Sequence, residues 1–249
     1  MWGTTDPGLC RERNEDAVAW STEQGWALVA DGMGGHQAGE VASELVVATA
    51  RELLDGRSSH DIKRLLRRAV TEANRRIHVR ATVDEHHRGM GATVVLARFT
   101  PRRLVVAHVG DSRLYRLREG DLVQLTRDHS LVQELVDDGM LTAEEARHSP
   151  HRNVITRAVG HQRTVEVEVI SHHSRPGDRI LLCSDGLTDL VNDDGLAACL
   201  DSAAPPENVA NALMELANQA GGNDNIAALV ADIQPSFSIG VRSEQCRNS

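Results

Sequence analysis

The sequence predicts a layered α+β fold of two antiparallel sheets with helices packed outside them. Three observations predict it: β-rich runs joined by tight-turn residues, two pairs of helical patterns set among them, and no regular strand–helix alternation of the βαβ kind. At 249 residues with 41% hydrophobic content, the chain is long enough to bury a substantial core as a single domain.

The elements follow in order. Ala17 to Ser21 and Trp26 to Ala30 are short apolar runs separated by Glu23-Gln24-Gly25, the pattern of a hairpin. After the Gly-rich stretch Asp31-Gly32-Met33-Gly34-Gly35-His36, the residues Ala38, Val41, Ala42, Leu45, Val46, Thr49 and Leu53 recur at helical spacing. A second helix follows on the stripe Ile62, Leu65, Leu66, Ala69, Val70, Ala73 and Ile77. Arg64, Arg67, Arg68, Arg75 and Arg76 lie mainly off that stripe and read as a solvated face. Thr93 to Phe99, Leu104 to Val109, Arg113 to Leu117 and Leu122 to Leu125 form a meander, with turns at Pro101-Arg102-Arg103, Gly110-Asp111 and Glu119-Gly120-Asp121.

Residues 130–160 are more polar and less regular, with short helical patterns at Leu131 to Val136 and Ala143 to Ala146, and read as a surface excursion. Strands resume at Val165 to Ile170 and Ile180 to Cys183. Helices fit Asp193 to Leu200 and Glu207 to Ala217, and a last strand fits Ile226 to Ile233. One domain is therefore expected over 1–234, with a loose tail at 235–249 that has little apolar periodicity.

Charge and cysteine usage exclude several classes. The formal charge of −9, from 36 acidic and 27 basic residues, opposes a nucleic-acid or anionic-membrane partner. Cys10, Cys183, Cys199 and Cys246 are scattered, which suggests neither a disulfide framework nor a zinc site. No apolar run approaches the roughly 20 residues needed to cross a bilayer, and the segment from Met1 to Asp6 lacks signal-peptide character, so a cytoplasmic protein is expected.

The chemistry is carried by the placement of carboxylates. Asp16 opens a strand, Asp31 ends one, and Asp111, Asp185 and Asp224 sit in turns. Taken singly, Asp-Gly and Asn-Asp are common turn formers. Brought together, such carboxylates repel unless divalent cations sit between them, and oxygen-only ligation points to Mg²⁺ or Mn²⁺. Two ions roughly 3.5–4 Å apart can activate a water and clamp a phosphoryl oxygen for in-line hydrolysis.

The order of motifs adds a resemblance. They run Thr5-Asp6-Pro7-Gly8-Leu9 with Arg11, Asn14-Glu15-Asp16-Ala17, Asp31-Gly32-Met33-Gly34-Gly35-His36 with Gly39-Glu40, and Met90-Gly91-Ala92-Thr93. Then come Val109-Gly110-Asp111-Ser112-Arg113, Thr126-Arg127-Asp128-His129-Ser130, Ile155-Thr156-Arg157-Ala158-Val159-Gly160, Ser184-Asp185-Gly186-Leu187 and Asp224-Asn225. From about Thr5 to Ile233 the chain resembles the metal-dependent type 2C serine/threonine phosphatase family, in its bacterial branch.

The resemblance implies a four-layer α-β-β-α sandwich with the metals at one end, and it implies roles by position. Asp31 resembles the carboxylate bridging two central ions, Gly32 gives a backbone carbonyl to one, and Asp185 and Asp224 bind the other. Asp16, with Glu15 before it, resembles the acidic pair of the second ion, and which of the two touches metal stays open. Asp111 matches a third, weaker metal position, sharing Asp185. Arg11 resembles the phosphate-gripping arginine, a role suited to a guanidinium that donates two parallel hydrogen bonds.

Met33 stands where eukaryotic relatives carry a proposed general-acid histidine, which leaves leaving-group protonation unassigned. His36 is nearby, but a lone histidine beside glycines is more often a packing residue, and His129 is taken as structural. Residues 130–160 correspond to the family's flap. Ala227 replaces a threonine common in relatives. The implied activity is hydrolysis of phosphoserine and phosphothreonine in proteins phosphorylated by a serine/threonine kinase, by a monomer. Two other readings are a catalytically inactive regulatory module, opposed by the complete carboxylate set, and a two-metal nuclease, opposed by the negative charge.

Overall fold

A computed structural model of the protein describes residues 1–34, 38–56 and 59–234. His36 and the 235–249 segment lie outside the described residues. The strands are β1 (Trp2–Asp6), β2 (Asp16–Ser21), β3 (Trp26–Met33), β4 (Gly91–Ala92), β5 (Val94–Phe99), β6 (Arg103–Val109), β7 (Arg113–Arg118), β8 (Asp121–Gln124), β9 (Glu168–His173), β10 (Arg179–Cys183) and β11 (Ile226–Asp232). The helices are α1 (Ala38–Leu54), α2 (Ile62–Val83), α3 (Leu131–Asp137), α4 (Ala143–Arg147), α5 (Asp185–Thr188), α6 (Asp193–Leu200) and α7 (Pro206–Gln219).

One sheet has the order β1-β11-β10-β7-β8 and the other β2-β3-β5-β6-β9, with β4 paired to β3. Every pairing is antiparallel. Side chains alternate along a strand, so each central strand serves two cores at once. In β3, Trp26, Leu28 and Ala30 join Ala42, Val46, Leu66, Ala69 and Ile77 beneath α1 and α2, while Ala27 and Val29 point into the layer between the sheets. In β11, Ile226, Ala228 and Val230 pack with Leu196, Val209 and Leu213 of α6 and α7, and Ala227, Leu229 and Ala231 face the other sheet. The four layers are thus helices, sheet, sheet and helices. Continuous apolar runs such as Trp26 to Ala30 mark strands covered on both faces.

Three elements depart from the sequence expectation. Trp2–Asp6 forms an edge strand, paired from Trp2↔Val230 to Asp6↔Ile226, although Thr4, Thr5 and Asp6 are polar. The expected strand at Val165 to Ile170 instead occupies Glu168–His173. Its register with β6, from His108↔Glu168 to Arg103↔His173, decides the span, while Val165 and Val167 pack into the α1–α2 core. Asp185–Thr188 forms a single helical turn where a plain turn was expected.

Within 130–160, α3 and α4 are set by their caps. Ser130 accepts from the Gln133 N–H, and Thr142 with Glu145 makes a reciprocal capping box. These helices bury only Val132 and Ala146, so little apolar packing holds them.

Leu229 is fully buried between the sheets. Leu229→Ala is expected to lower the unfolding free energy by about 2–5 kcal/mol in a denaturant titration. Val83→Ala, at a side chain 81% exposed, is expected to change it by no more than about 0.5 kcal/mol.

Candidate metal centre

The site forms where one end of the sandwich opens. Asp16 starts β2, Asp31 lies near the end of β3, and the two are directly paired across the strands. The neighbouring pair, Glu15 and Gly32, holds a ladder bond from the Gly32 N–H to the Glu15 carbonyl of 3.1 Å. Asp16 and Asp31 therefore occupy the closer, non-hydrogen-bonded kind of pair, with both side chains on the inter-sheet face. Asp185 follows β10, Asp224 precedes β11, and Asp111 lies between β6 and β7. Antiparallel order brings these strand ends to the same end of the sandwich.

Close approaches fix the backbone there. A Cβ on Gly32 would sit 2.1 Å from the Gly39 carbonyl oxygen and 2.6 Å from that of Glu15, so only glycine fits where α1 meets β2 and β3. A Cβ on Gly186 would meet the Asn225 carbonyl oxygen at 2.0 Å, which binds the α5 turn tightly against the start of β11.

Two residues missed as site residues in the sequence reading hold the sheets and the N-terminal loop together. The Ser184 hydroxyl donates to Asp16 Oδ2 at 2.7 Å and accepts the Ala227 N–H at 2.8 Å, linking the two sheets through the Asp16 carboxylate. Asn225 accepts the Glu15 N–H at 2.8 Å and donates to the carbonyls of Pro7 (3.0 Å) and Arg13 (2.7 Å), pinning the loop that carries Arg11. Their only sequence signal is adjacency to Asp185 and Asp224.

The electrostatics are those of crowded acids. Burial pushes the Asp16 carboxyl up to about 7, with Asp185 and Asp224 adding repulsion against the Ser184 hydrogen bond. Burial, then Asp16, Asp185, Asp111 and Asp224, holds Asp31 well above the usual range. Burial with Asp189 and Asp224 pushes Asp185 up to about 6, and burial with Asp185 and Asp128 raises Asp111. Glu15 is raised by burial, partly countered by Arg11. Asp16 Oδ1 is buried with no hydrogen-bond partner among the described residues. An orphaned carboxylate oxygen among other hard oxygen donors fits a divalent cation.

Arg11 lies at the rim, where Nη2 donates to Asp224 Oδ2 at 2.7 Å. Both side chains are well exposed, so this pair contributes little to stability. Its significance is position: a guanidinium stands beside the carboxylates and faces solvent. A groove of about 840 Å³ leads from Asp111 and Asp185 beneath α3 and α4.

A second grouping, His108, His129 and Glu168, also brings potential ligand atoms together. The imidazoles stack at 4.7 Å and are only 9° from parallel. In-plane lone pairs on parallel rings do not converge on one ion. His129 Nδ1 instead accepts the Gly110 N–H at 3.1 Å, while the His129 backbone N–H donates to the Gly110 carbonyl at 3.0 Å. Burial lowers His129 to about 4, which keeps it neutral. It buttresses the turn that carries Asp111.

Raised carboxyl pKa values mean that the metal-free folded chain takes up protons that the unfolded chain releases above pH ~4, so these groups cost stability as pH rises toward 7. A cation must displace those protons. The rise in Tm produced by saturating Mn²⁺ is therefore expected to be larger at pH 8 than at pH 6 in differential scanning calorimetry. A rise independent of pH would contradict the assignment.

Comparison with known proteins supplies the family. The protein phosphatase 2C family profile matches residues 11–220. The chain is 44% identical to the serine/threonine protein phosphatase PstP of Mycobacterium tuberculosis, over 92% of this chain and 44% of the relative, and so spans less than half the length of that protein. It is 38% identical to the serine/threonine phosphatase stp of Listeria monocytogenes, over 92% of this chain and 93% of the relative. The crystal structure of the PstP catalytic domain in complex with two manganese ions superposes with a TM-score of 0.86 at 40% identity, over 94% of this chain and 97% of that one. The chain belongs to the protein phosphatase 2C family.

Proposed function

We propose that the protein hydrolyses phosphoserine and phosphothreonine in proteins, with Mn²⁺ or Mg²⁺ held by the carboxylates at the open end of the sandwich. The observation that carries this reading is the convergence of Asp16, Asp31, Asp111, Asp185 and Asp224 beside a solvent-facing Arg11. Asp31 would serve both of two central ions, the Gly32 carbonyl and the Asp16–Glu15 pair would hold one of them, and Asp185 and Asp224 would hold the other. Asp111, with Asp185, offers a third and weaker position. When bound, the ions supply charge neutralisation and a water acidic enough to attack phosphorus near neutral pH.

The chain's own residues do the rest. Arg11 can turn its guanidinium from Asp224 onto the phosphoryl group, donating two parallel hydrogen bonds that hold it for in-line attack. Ser184 and the Asn225 clamp keep Asp16 and the Arg11 loop in register, so little reorganisation is needed when substrate binds. Met33 carries no ionisable proton, so the leaving oxygen is protonated by another group. Residues 130–160 act as a flap over the groove, a role suited to helices with so few buried anchors.

The biological setting follows the same reading: a cytoplasmic monomer in bacterial signalling, opposing a serine/threonine kinase. Among the described residues no helix is long and apolar enough to cross a membrane.

The direct assay is hydrolysis of a phosphothreonine peptide. EDTA is expected to abolish it and Mn²⁺ to restore it, and Asp31→Asn is expected to remove activity at every Mn²⁺ concentration. Activity that persists in chelator would reject the mechanism. Arg11→Ala is expected to raise KM about 10-fold or more, since a hydrogen bond to a charged group contributes roughly 1.5–3 kcal/mol.

A further inference from the structure

Helix α2 carries a cationic groove that the metal chemistry leaves unused. Its lining includes Arg64, Arg67, Arg68 and Arg76, with Thr71, facing Glu52 in the last turn and a half of α1, in a depression of about 460 Å³. The residues 64, 68, 72 and 76 are spaced four apart and form one ridge of the helix.

The two halves of this ridge differ. Toward the C-terminal half, the charges are matched: Glu72 pairs with Arg75 at 2.8 Å and Arg76 at 2.9 Å, and Glu52 pairs with Arg76 at 2.8 Å. Toward the N-terminal half, Arg64, Arg67 and Arg68 are exposed and make no ion pair among the described residues. Lys63–Arg67, Arg64–Arg67 and Arg64–Arg68 are like-charge pairs at three- and four-residue spacing, each of which destabilises a helix. These cations also lie in the first two turns, where the helix dipole disfavours positive charge, and the first turn holds no acidic residue. The Asp61 carboxylate caps the helix, accepting the Arg64 N–H at 3.0 Å, but among the described residues no carboxylate forms an ion pair with Arg64, Arg67 or Arg68. A bound anion would offset the remaining repulsion.

We propose that this groove docks a second phosphorylated segment of the protein substrate, away from the phosphate being hydrolysed. The occupant is taken to be substrate on the strength of the proposed phosphatase function. Arginine forks match phosphate oxygens bidentately, and a depression this small has room for a phosphorylated side chain and its neighbours. An extended polyanion fits poorly: Glu52 and Glu72 border the groove, and the chain as a whole carries −9. Distance supports a separate subsite. Gly39, at the start of α1, packs on the Glu15 carboxylate at the metal centre, and Glu52 lies 13 residues further along the same helix, about 20 Å away.

The test compares two phosphothreonine peptides in the presence of Mn²⁺. One carries a single phosphothreonine. The other adds a non-hydrolysable phosphonate analogue about 15 residues away, enough chain to span about 20 Å over a curved surface. The second peptide is expected to show a KM at least about fivefold lower, with kcat unchanged. In R67Q/R68Q the advantage is expected to vanish, while hydrolysis of p-nitrophenyl phosphate stays at the wild-type rate. Removal of two repelling cations is expected to leave Tm unchanged or raise it by about 1–2 °C, which excludes misfolding as the cause.

Equal KM values in the wild type would overturn the proposal. So would tighter Arg67- and Arg68-dependent binding of phosphatidylglycerol vesicles or duplex DNA than of the phosphonate peptide. If neither phosphothreonine peptide is hydrolysed, the proposed function fails. Fluorescence anisotropy of the labelled phosphonate peptide then still decides the groove, with R67Q/R68Q-sensitive binding supporting it and insensitive binding rejecting it.

Discussion

Mutual repulsion among carboxylates gathered at one end of a sandwich is the constraint on which the molecule depends. Asp16 and Asp31 face one another on adjacent strands, and Asp185, Asp224 and Asp111 arrive from other strand ends. Removing such groups from water disfavours their charged forms, and each neighbour makes the next charge harder to hold. The folded chain alone can relieve this only by retaining protons, as the upward shifts at Asp16, Asp31, Asp111 and Asp185 express. Divalent cations relieve it otherwise, and the same neutralisation makes the site chemically useful.

The scaffold is built to withstand that repulsion. Three apolar layers hold the sheets and helices rigid, and the site sits on strand ends instead of on long loops. Ser184 ties a carboxylate of one sheet to the backbone of the other. The Arg113–Asp128 pair, a half-buried guanidinium on a buried carboxylate with contacts of 2.6 to 3.1 Å, braces the turn after Asp111. Reciprocal hydrogen bonds between Gly110 and His129 brace it from the other side. Such support gives Thr126 to Ser130 a structural part in holding the Asp111 turn.

Much of this was legible in the sequence because its signals are strong and local. Trp26 to Ala30 is an unbroken apolar run because both faces of β3 are covered, and the α1 and α2 stripes match their buried faces. The placement of Asp16, Asp31, Asp111, Asp185 and Asp224 at strand ends was legible through the neighbouring glycines and asparagines and the order of motifs. What was not legible depended on tertiary partners. Trp2–Asp6 is a strand because β11 offers an open edge, not because its own residues demand one. Glu168–His173 takes its bounds from pairing with β6. The holding roles of Ser184 and Asn225 exist only across sequence separations of 43 to 218 residues, beyond the reach of any local pattern.

The central claim is that these distant carboxylates share cations. Anomalous diffraction at the manganese absorption edge, from crystals grown with Mn²⁺, tests it most directly. The account predicts two strong peaks at the open end of the sandwich, one flanked by Asp31, Asp185 and Asp224 and the other by Asp31, Gly32 and the Asp16–Glu15 pair. Absence of anomalous density there at saturating Mn²⁺, or density only at surface sites away from Asp31, would contradict it.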